Sequence, residues 1–232
     1  MTSTYTAPSP NEPFETVSEH FRYIHSRDDD LRYRAASHLE DYIAEVLGSV
    51  ADAIAGSAVV AVLLEPHGII REKLLSFLCA LDSKHRIVRP IMDELVHGLE
   101  GTDLSADEQS AVDSIVKNFE ADDHEFEDKY GDTFELRPLS NEFMPNPGWP
   151  PDELIDHLRN LQSDDPAEQF TASYHLPARF EEYHSYPISV AGCVVIARLF
   201  EIHSLVAEAQ RNALHDLGEL SDIPEEVLQP VS

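Results

Sequence analysis

The sequence predicts an all-α fold, a multi-helix bundle with a proline-rich hinge loop near 138–151. Three observations carry that expectation. Apolar residues recur at helical spacing through most of the 232 residues. Helix start and stop signals bracket those runs. No clear β-hairpin pattern, internal repeat or low-complexity tract interrupts them. The expected organisation is a flexible N-terminal tail over 1–27, an N-terminal helical half over 28–137, the Pro-rich loop over 138–151, a C-terminal helical half over 152–220 and a tail over 221–232.

Each element has its own signal. From Asp30 to about Glu65 the pattern places Leu31, Ala35, Leu39, Tyr42, Ile43, Val46 and Leu47 on one stripe, with acidic residues opposite. Asp28 to Asp30 favour the start of that helix, where negative charge meets the positive end of the helix dipole. Gly48 or Gly56 is expected to bend it and Pro66 to stop it. The run "GIIREKLLSFLCALDSKHRIVRPIMDELVHGLEG" supplies another long helix, or a pair broken near Pro90, with Gly98 and Gly101 at its end. Ser105 and Glu108 match a capping box, so a helix starts there and runs toward "EADDHEFEDKYGD". Five prolines between 138 and 151 mark the loop or hinge. "PPDELIDHLRNL" and "DDPAEQFTASYHL" each open a short helix with proline near its start. Pro177 and Pro187 leave "ARFEEYHSY" room for little more than two turns, and a final long helix or pair occupies 188 to about 218.

Charge narrows the setting and the partners. The formal net charge is −28, from 44 acidic and 16 basic residues, and Lys73, Lys84, Lys117 and Lys129 are the only lysines. An acidic, lysine-poor surface suits concentrated salt, where charges are screened over a few ångströms, so a halophilic cytoplasm is the expected setting. The same charge opposes duplex nucleic acid and anionic membranes, which draw on basic surface. Cys79 and Cys193 both lie in apolar helical runs and read as core thiols in a reducing compartment. The N-terminus lacks the basic and apolar regions of a secretory signal. The longest apolar stretch, "AIAGSAVVAVLLEPHG", is too short and interrupted to span a bilayer.

Three constellations could carry chemistry. Asn212, Asp216 and Glu219 fall at i, i+4 and i+7, so one helix face would present three oxygen ligands suited to Mg²⁺. In an acidic chain the same spacing also makes an ordinary solvated face. Glu94 with His97, and Glu181 with His184, are Glu-x-x-His pairs of the kind that carboxylate-bridged di-metal bundles use. The island "HFRYIHSRDDDLRYRAASH" gathers Arg22, Arg27, Arg32 and Arg34 with Tyr23, Tyr33, His20, His25 and His38. Interleaved arginine and tyrosine can grip phosphates and stack on bases. The alternative is that Asp28, Asp29, Asp30, Glu40 and Asp41 pair with those arginines across helix turns.

Two of these stretches carry resemblances. "YPISVAGCV" followed by "NALHDLGE" resembles the squalene and phytoene synthase family, through Tyr186, Val190, Ala191, Gly192 and Val194 and then Asn212, Asp216 and Glu219. The resemblance covers residues 186–219. It implies an isoprenoid-synthase-like helical protein, short or degenerate, that binds a prenyl diphosphate through Mg²⁺. Asn212, Asp216 and Glu219 would be the metal ligands, and Asp122 and Asp123 in "DDHEFED" the nearest counterpart of the family's first aspartate-rich helix. Arg198 and Arg211 are the local candidates for the diphosphate, and no catalytic residue is assigned. Arg32 with His38 loosely resembles the Arg-to-His pairing of helical HEPN-type ribonucleases. The opposing class is a non-catalytic acidic interaction or regulatory protein, whose apolar segment at 188–200 would dock on a second copy or on a protein partner.

Overall fold

The computed structural model describes residues 12–121, 138–140, 147–151, 153–179 and 185–231, together with positions 6 and 8. The fold is all-α, as expected: among the described residues there is no strand, and helices account for most of the chain.

The architecture follows from two segments that are apolar on every side. A helix without a polar face has to lie inside a protein. Helix α3 (Gly48–Leu64) is buried without interruption from Ser49 to Val62, and α9 (Pro187–Phe200) from Ser189 to Leu199. They pack on each other more extensively than any other pair of elements. Small residues set their separation. A Cβ added at Gly192 would lie 2.8 Å from the Ala53 carbonyl oxygen and 2.9 Å from the Gly56 Cα. Gly192 therefore has a structural reason to be glycine: two backbones nearly touch there.

The one-sided helices surround this pair. α4 (Gly68–His85) lies on α3 and carries α6 (Ala106–Ala121) on its far side, and α5 (Arg89–Gly98) lies on both α3 and α9. α8 (Pro166–His175) and α10 (Ser204–Leu220) pack together beside α9, and α7 (Leu154–Asn160) precedes α8. The two expected helical halves share one core, because α3 belongs to the first and α9 to the second.

Several local expectations hold. Ser105 Oγ accepts from the Glu108 amide at 3.2 Å, and the Glu108 carboxylate accepts from the Ser105 amide at 2.6 Å, which completes the capping box that starts α6. The α4–α5 pair breaks at Arg86, whose φ of 51° is left-handed, just before Pro90 in the first turn of α5. Pro166 opens α8 behind Asp165, whose side chain accepts from the Ala167 amide.

Three expectations need correction. The continuous helix over 30–65 is instead α2 (Asp29–His38), a 3₁₀ segment (Leu39–Glu45) and α3. One straight helix cannot be peripheral over its first half and central over its second, so the chain turns through extended backbone at Val46 and Leu47. The N-terminal tail contains α1 (Val17–Tyr23), started by a Thr16/Glu19 capping box and held by buried Phe14, Phe21 and Ile24. The C-terminal tail folds back as α11 (Glu225–Leu228), with Val227 fully buried against α3 and α9.

Candidate anion-binding cleft

The arginine island becomes intelligible once its partners are known. Arg32 is buried in α2 and donates to the buried Glu65 carboxylate, from Nε at 2.8 Å and from Nη2 at 3.3 Å. It also donates to Asp29 at 2.7 Å and to the Ser26 carbonyl at 2.9 Å. Burial alone would lower its pKa, and the Glu65 and Asp29 carboxylates instead hold it above the ordinary arginine value. Arg34 donates to the Glu12 and Pro13 carbonyls and lies 4.0 Å over the Phe14 ring. Arg32 and His38 are six residues apart on α2 and so face different ways. His38 contacts Asp41 at 3.2 Å. The acids that serve the island come mostly from distant elements rather than from neighbouring helix turns.

Arg22 and Arg27 reach the segment that carries α7 and α8. Arg22 pairs with Asp164, and Arg27 donates to Asp156 at 3.2 Å and to the Asn160 side-chain carbonyl at 3.3 Å. Between α1 and this segment lies a cleft of about 350 Å³, whose lining includes Arg22, Tyr23, His25, Arg27, Arg159 and Gln162, and also Asp164, Asp165 and Glu168. That volume falls in the range of roughly 300–1,000 Å³ typical of small-molecule sites.

The floor is polar and neutral. His25 Nε2 lies 3.0 Å from Ser57 Oγ on α3 and 4.0 Å from Cys193 Sγ on α9. The Gln162 amide donates to the Cys193 carbonyl at 3.0 Å. Burial pushes the His25 pKa down to about 3, helped by the Arg159 and Arg32 charges, so the ring is neutral at physiological pH. Burial pushes the Cys193 thiol up to about 11. A protonated, enclosed thiol and a fully buried Ser57 are not placed to attack a ligand in the cleft. The arrangement can bind and orient, and it offers no exposed nucleophile on this floor.

Arg159 on α7 differs from the arginines of the N-terminal island. Its side chain is only 18% exposed, yet among the described residues its one ion-pair contact is Asp156 at 3.9 Å, an acid also held by Arg27. Burial and the nearby Arg32 charge lower its pKa, against partial compensation from Asp156 and Glu65. A half-buried guanidinium without a close acceptor, on the wall of a cleft, is a ready receptor for an anion.

The residues expected to hold Mg²⁺ lie elsewhere. Asn212 and Glu219 are exposed on the outer face of α10 and Asp216 is half-buried, while Ala213, Leu214 and Leu217 take the core side. His215, Asp216 and Glu219 bring ligand atoms within 4.8 Å of one another, but on the surface. Asn212, Asp216 and Glu219 line neither the large cleft nor the small one beneath Arg159. Of the two diphosphate candidates, Arg198 is buried near the end of α9 and Arg211 is exposed on α10. Burial, with the Arg211 charge, lowers the Arg198 pKa. Asp122 and Asp123 lie outside the described residues, as do Glu181 and His184.

Glu94 accepts from the Ile188 and Ser189 amides at 2.8 and 2.7 Å, so it caps the start of α9, whereas His97 is exposed and faces Glu100. The first Glu-x-x-His pair is thus divided between a helix cap and the surface. The segment 188–200, expected as a docking face, is core: Leu199 is 2% exposed. Self-association through that segment loses its basis, because the apolar surface is already covered by α3. No helix of the described residues is long and apolar enough to cross a membrane.

Sequence reasoning found Arg22, Arg27 and His25 as parts of an arginine-rich island but missed Arg159, Asn160 and Gln162. Their signal is tertiary, since Arg27, Arg32 and Glu65, three of the charges acting on Arg159, lie far from it in the chain. Comparison with protein-family models, with curated proteins and with solved structures returns no match.

Proposed function

We propose that the protein binds a small anionic molecule, through a carboxylate or phosphate group, in the cleft between α1 and the α7–α8 segment. The observation that carries this reading is Arg159: a largely buried side chain beside Arg27 and Arg32, whose nearest carboxylate among the described residues is Asp156 at 3.9 Å. In a chain of net charge −28, such a locally cationic wall is where an anion would be favoured. The neutral His25 floor and the Gln162 amide add polar groups that orient a ligand without adding charge. The Mg²⁺ and prenyl diphosphate reading of the sequence resemblance has less geometric support, because Asn212 and Glu219 are exposed, Asp216 is half-buried, and none of the three lines either of the two clefts described above.

Calorimetric titration with inorganic phosphate and with acetate tests the proposal on wild type and Arg159→Gln. Saturable heat from wild type, weakened about tenfold or more in the variant, is expected for the loss of a charge-assisted contact. Equal heats from the two proteins, or none from wild type, would defeat it.

A further inference from the structure

The chain turns tightly at the end of α7: the Gln162 amide donates to the Arg159 carbonyl at 3.0 Å and the Ser163 amide to the Asn160 carbonyl at 3.3 Å. That turn brings Arg159, Asn160 and Gln162 together on the lining of the cleft. Asn160 and Gln162 are 8% and 5% exposed. Each gives one end of its side-chain amide to the protein. Arg27 can only donate, so it holds Asn160 Oδ1 and leaves the Nδ2 donor over. The Cys193 carbonyl can only accept, so it holds Gln162 Nε2 and leaves the Oε1 acceptor over. Among the described residues neither Nδ2 nor Oε1 has a hydrogen-bond partner, and neither atom is fully enclosed. Nearly buried amide ends of this kind call for a partner from outside the protein. Arg22 and Arg27 are matched by Asp164 and Asp156, so Arg159 offers one positive charge beside one neutral donor and one neutral acceptor.

We propose that the ligand is a hydroxy carboxylate, with its carboxylate on Arg159 and its hydroxyl accepting from Asn160 Nδ2 and donating to Gln162 Oε1. This rests on the anion-binding reading and narrows it. A hydroxyl both accepts and donates, so it completes the two amide ends at once. A ketone in its place would leave Gln162 Oε1 unmatched, and a plain carboxylate would leave both ends unmatched. A site built to bond a hydroxyl rejects the analogue without one more strongly than an apolar pocket rejects a missing methylene.

The test is calorimetric titration of the full chain, at one fixed potassium chloride concentration, with two matched series. Lactate is set beside pyruvate and propionate, and 3-hydroxybutyrate beside acetoacetate and butyrate. At least one hydroxy compound is expected to bind about tenfold or more tighter than both of its partners. In Gln162→Met, with helical content checked by circular dichroism, that advantage should shrink while the affinity for the plain carboxylate stays. The wild-type comparison decides by itself should the variant fail to fold. An advantage that persists in a folded Gln162→Met would overturn the hydroxyl assignment. Plain carboxylates that bind as tightly as their hydroxy partners, with Arg159→Gln weakening all, would overturn it and leave anion binding standing, as would heat from phosphate alone. No heat from any of the six compounds, with none from phosphate, would overturn both.

Discussion

At the residue scale, the structure separates Arg32, which holds the fold, from Arg159, whose nearest carboxylate among the described residues lies 3.9 Å away. Arg32 and Glu65 are both buried and bonded to each other, so Glu65→Ala would leave the guanidinium with Asp29, which is 42% exposed, as its remaining carboxylate. Removing one partner of such a pair costs about 3–5 kcal/mol, visible as a large drop in the urea midpoint. Arg89→Ala is the control. Arg89 and Asp93 are 3.6 Å apart and well exposed, and such a pair contributes no more than about 1 kcal/mol. The buried histidines set the acid limit. Burial depresses His25 to about 3 and His157 to about 4, whereas both titrate near 6.5 once unfolded. The unfolded chain therefore binds more protons between those values. Stability should be full above about pH 6.5 and fall toward pH 4, by up to about 1.4 kcal/mol per pH unit for each histidine. Denaturant midpoints across that window check the slope, and His25→Asn should make it shallower. The arginine island was legible as a local surplus of one residue type. The acids at Asp156 and Asp164 that engage it were not, because nothing local links them to it.

At the element scale, the crossing of α3 and α9 is the constraint that organises the rest. A methyl group at Gly192 would meet backbone atoms of Ala53 and Gly56, which cannot turn aside as a flexible side chain can. Gly192→Ala should cost about 1–3 kcal/mol by forcing the helices apart, measured as a lowered melting temperature with helical content retained. Gly101→Ala is a different case: it has open space but a φ of 79°, so its cost is backbone strain alone. The "VAGCV" segment that carries the family resemblance has here a packing explanation through Gly192. The apolar runs of α3 and α9 were legible in the sequence, but a run names no partner, and 188–200 read equally as a docking face. Nor did it show that the helix over 30–65 would break, since the break depends on where α3 must go. The Thr16/Glu19 capping box in "TVSE" was the readable local signal for α1.

At the scale of the whole molecule, the described helices share one core while the chain carries a formal net charge of −28. Self-repulsion at that charge should be relieved by screening. The melting temperature is expected to rise strongly from dilute to molar potassium chloride, and a flat profile would remove the halophilic setting inferred from composition. The terminal segment belongs to this whole: deletion of residues 222–232 uncovers α3 and α9 where Val227 is buried. That truncation should lower stability rather than leave it unchanged, as removal of a loose tail would.

The central claim is that Arg159 receives an anion in the cleft beside α1. Its most direct test is a crystal grown with a heavy tetrahedral oxyanion such as tungstate, with diffraction recorded at the anomalous edge of the metal. The account expects a peak inside the cleft, within hydrogen-bonding distance of the Arg159 guanidinium, that disappears in Arg159→Gln. A cleft without a peak, in crystals where the oxyanion occupies other arginines, would contradict it.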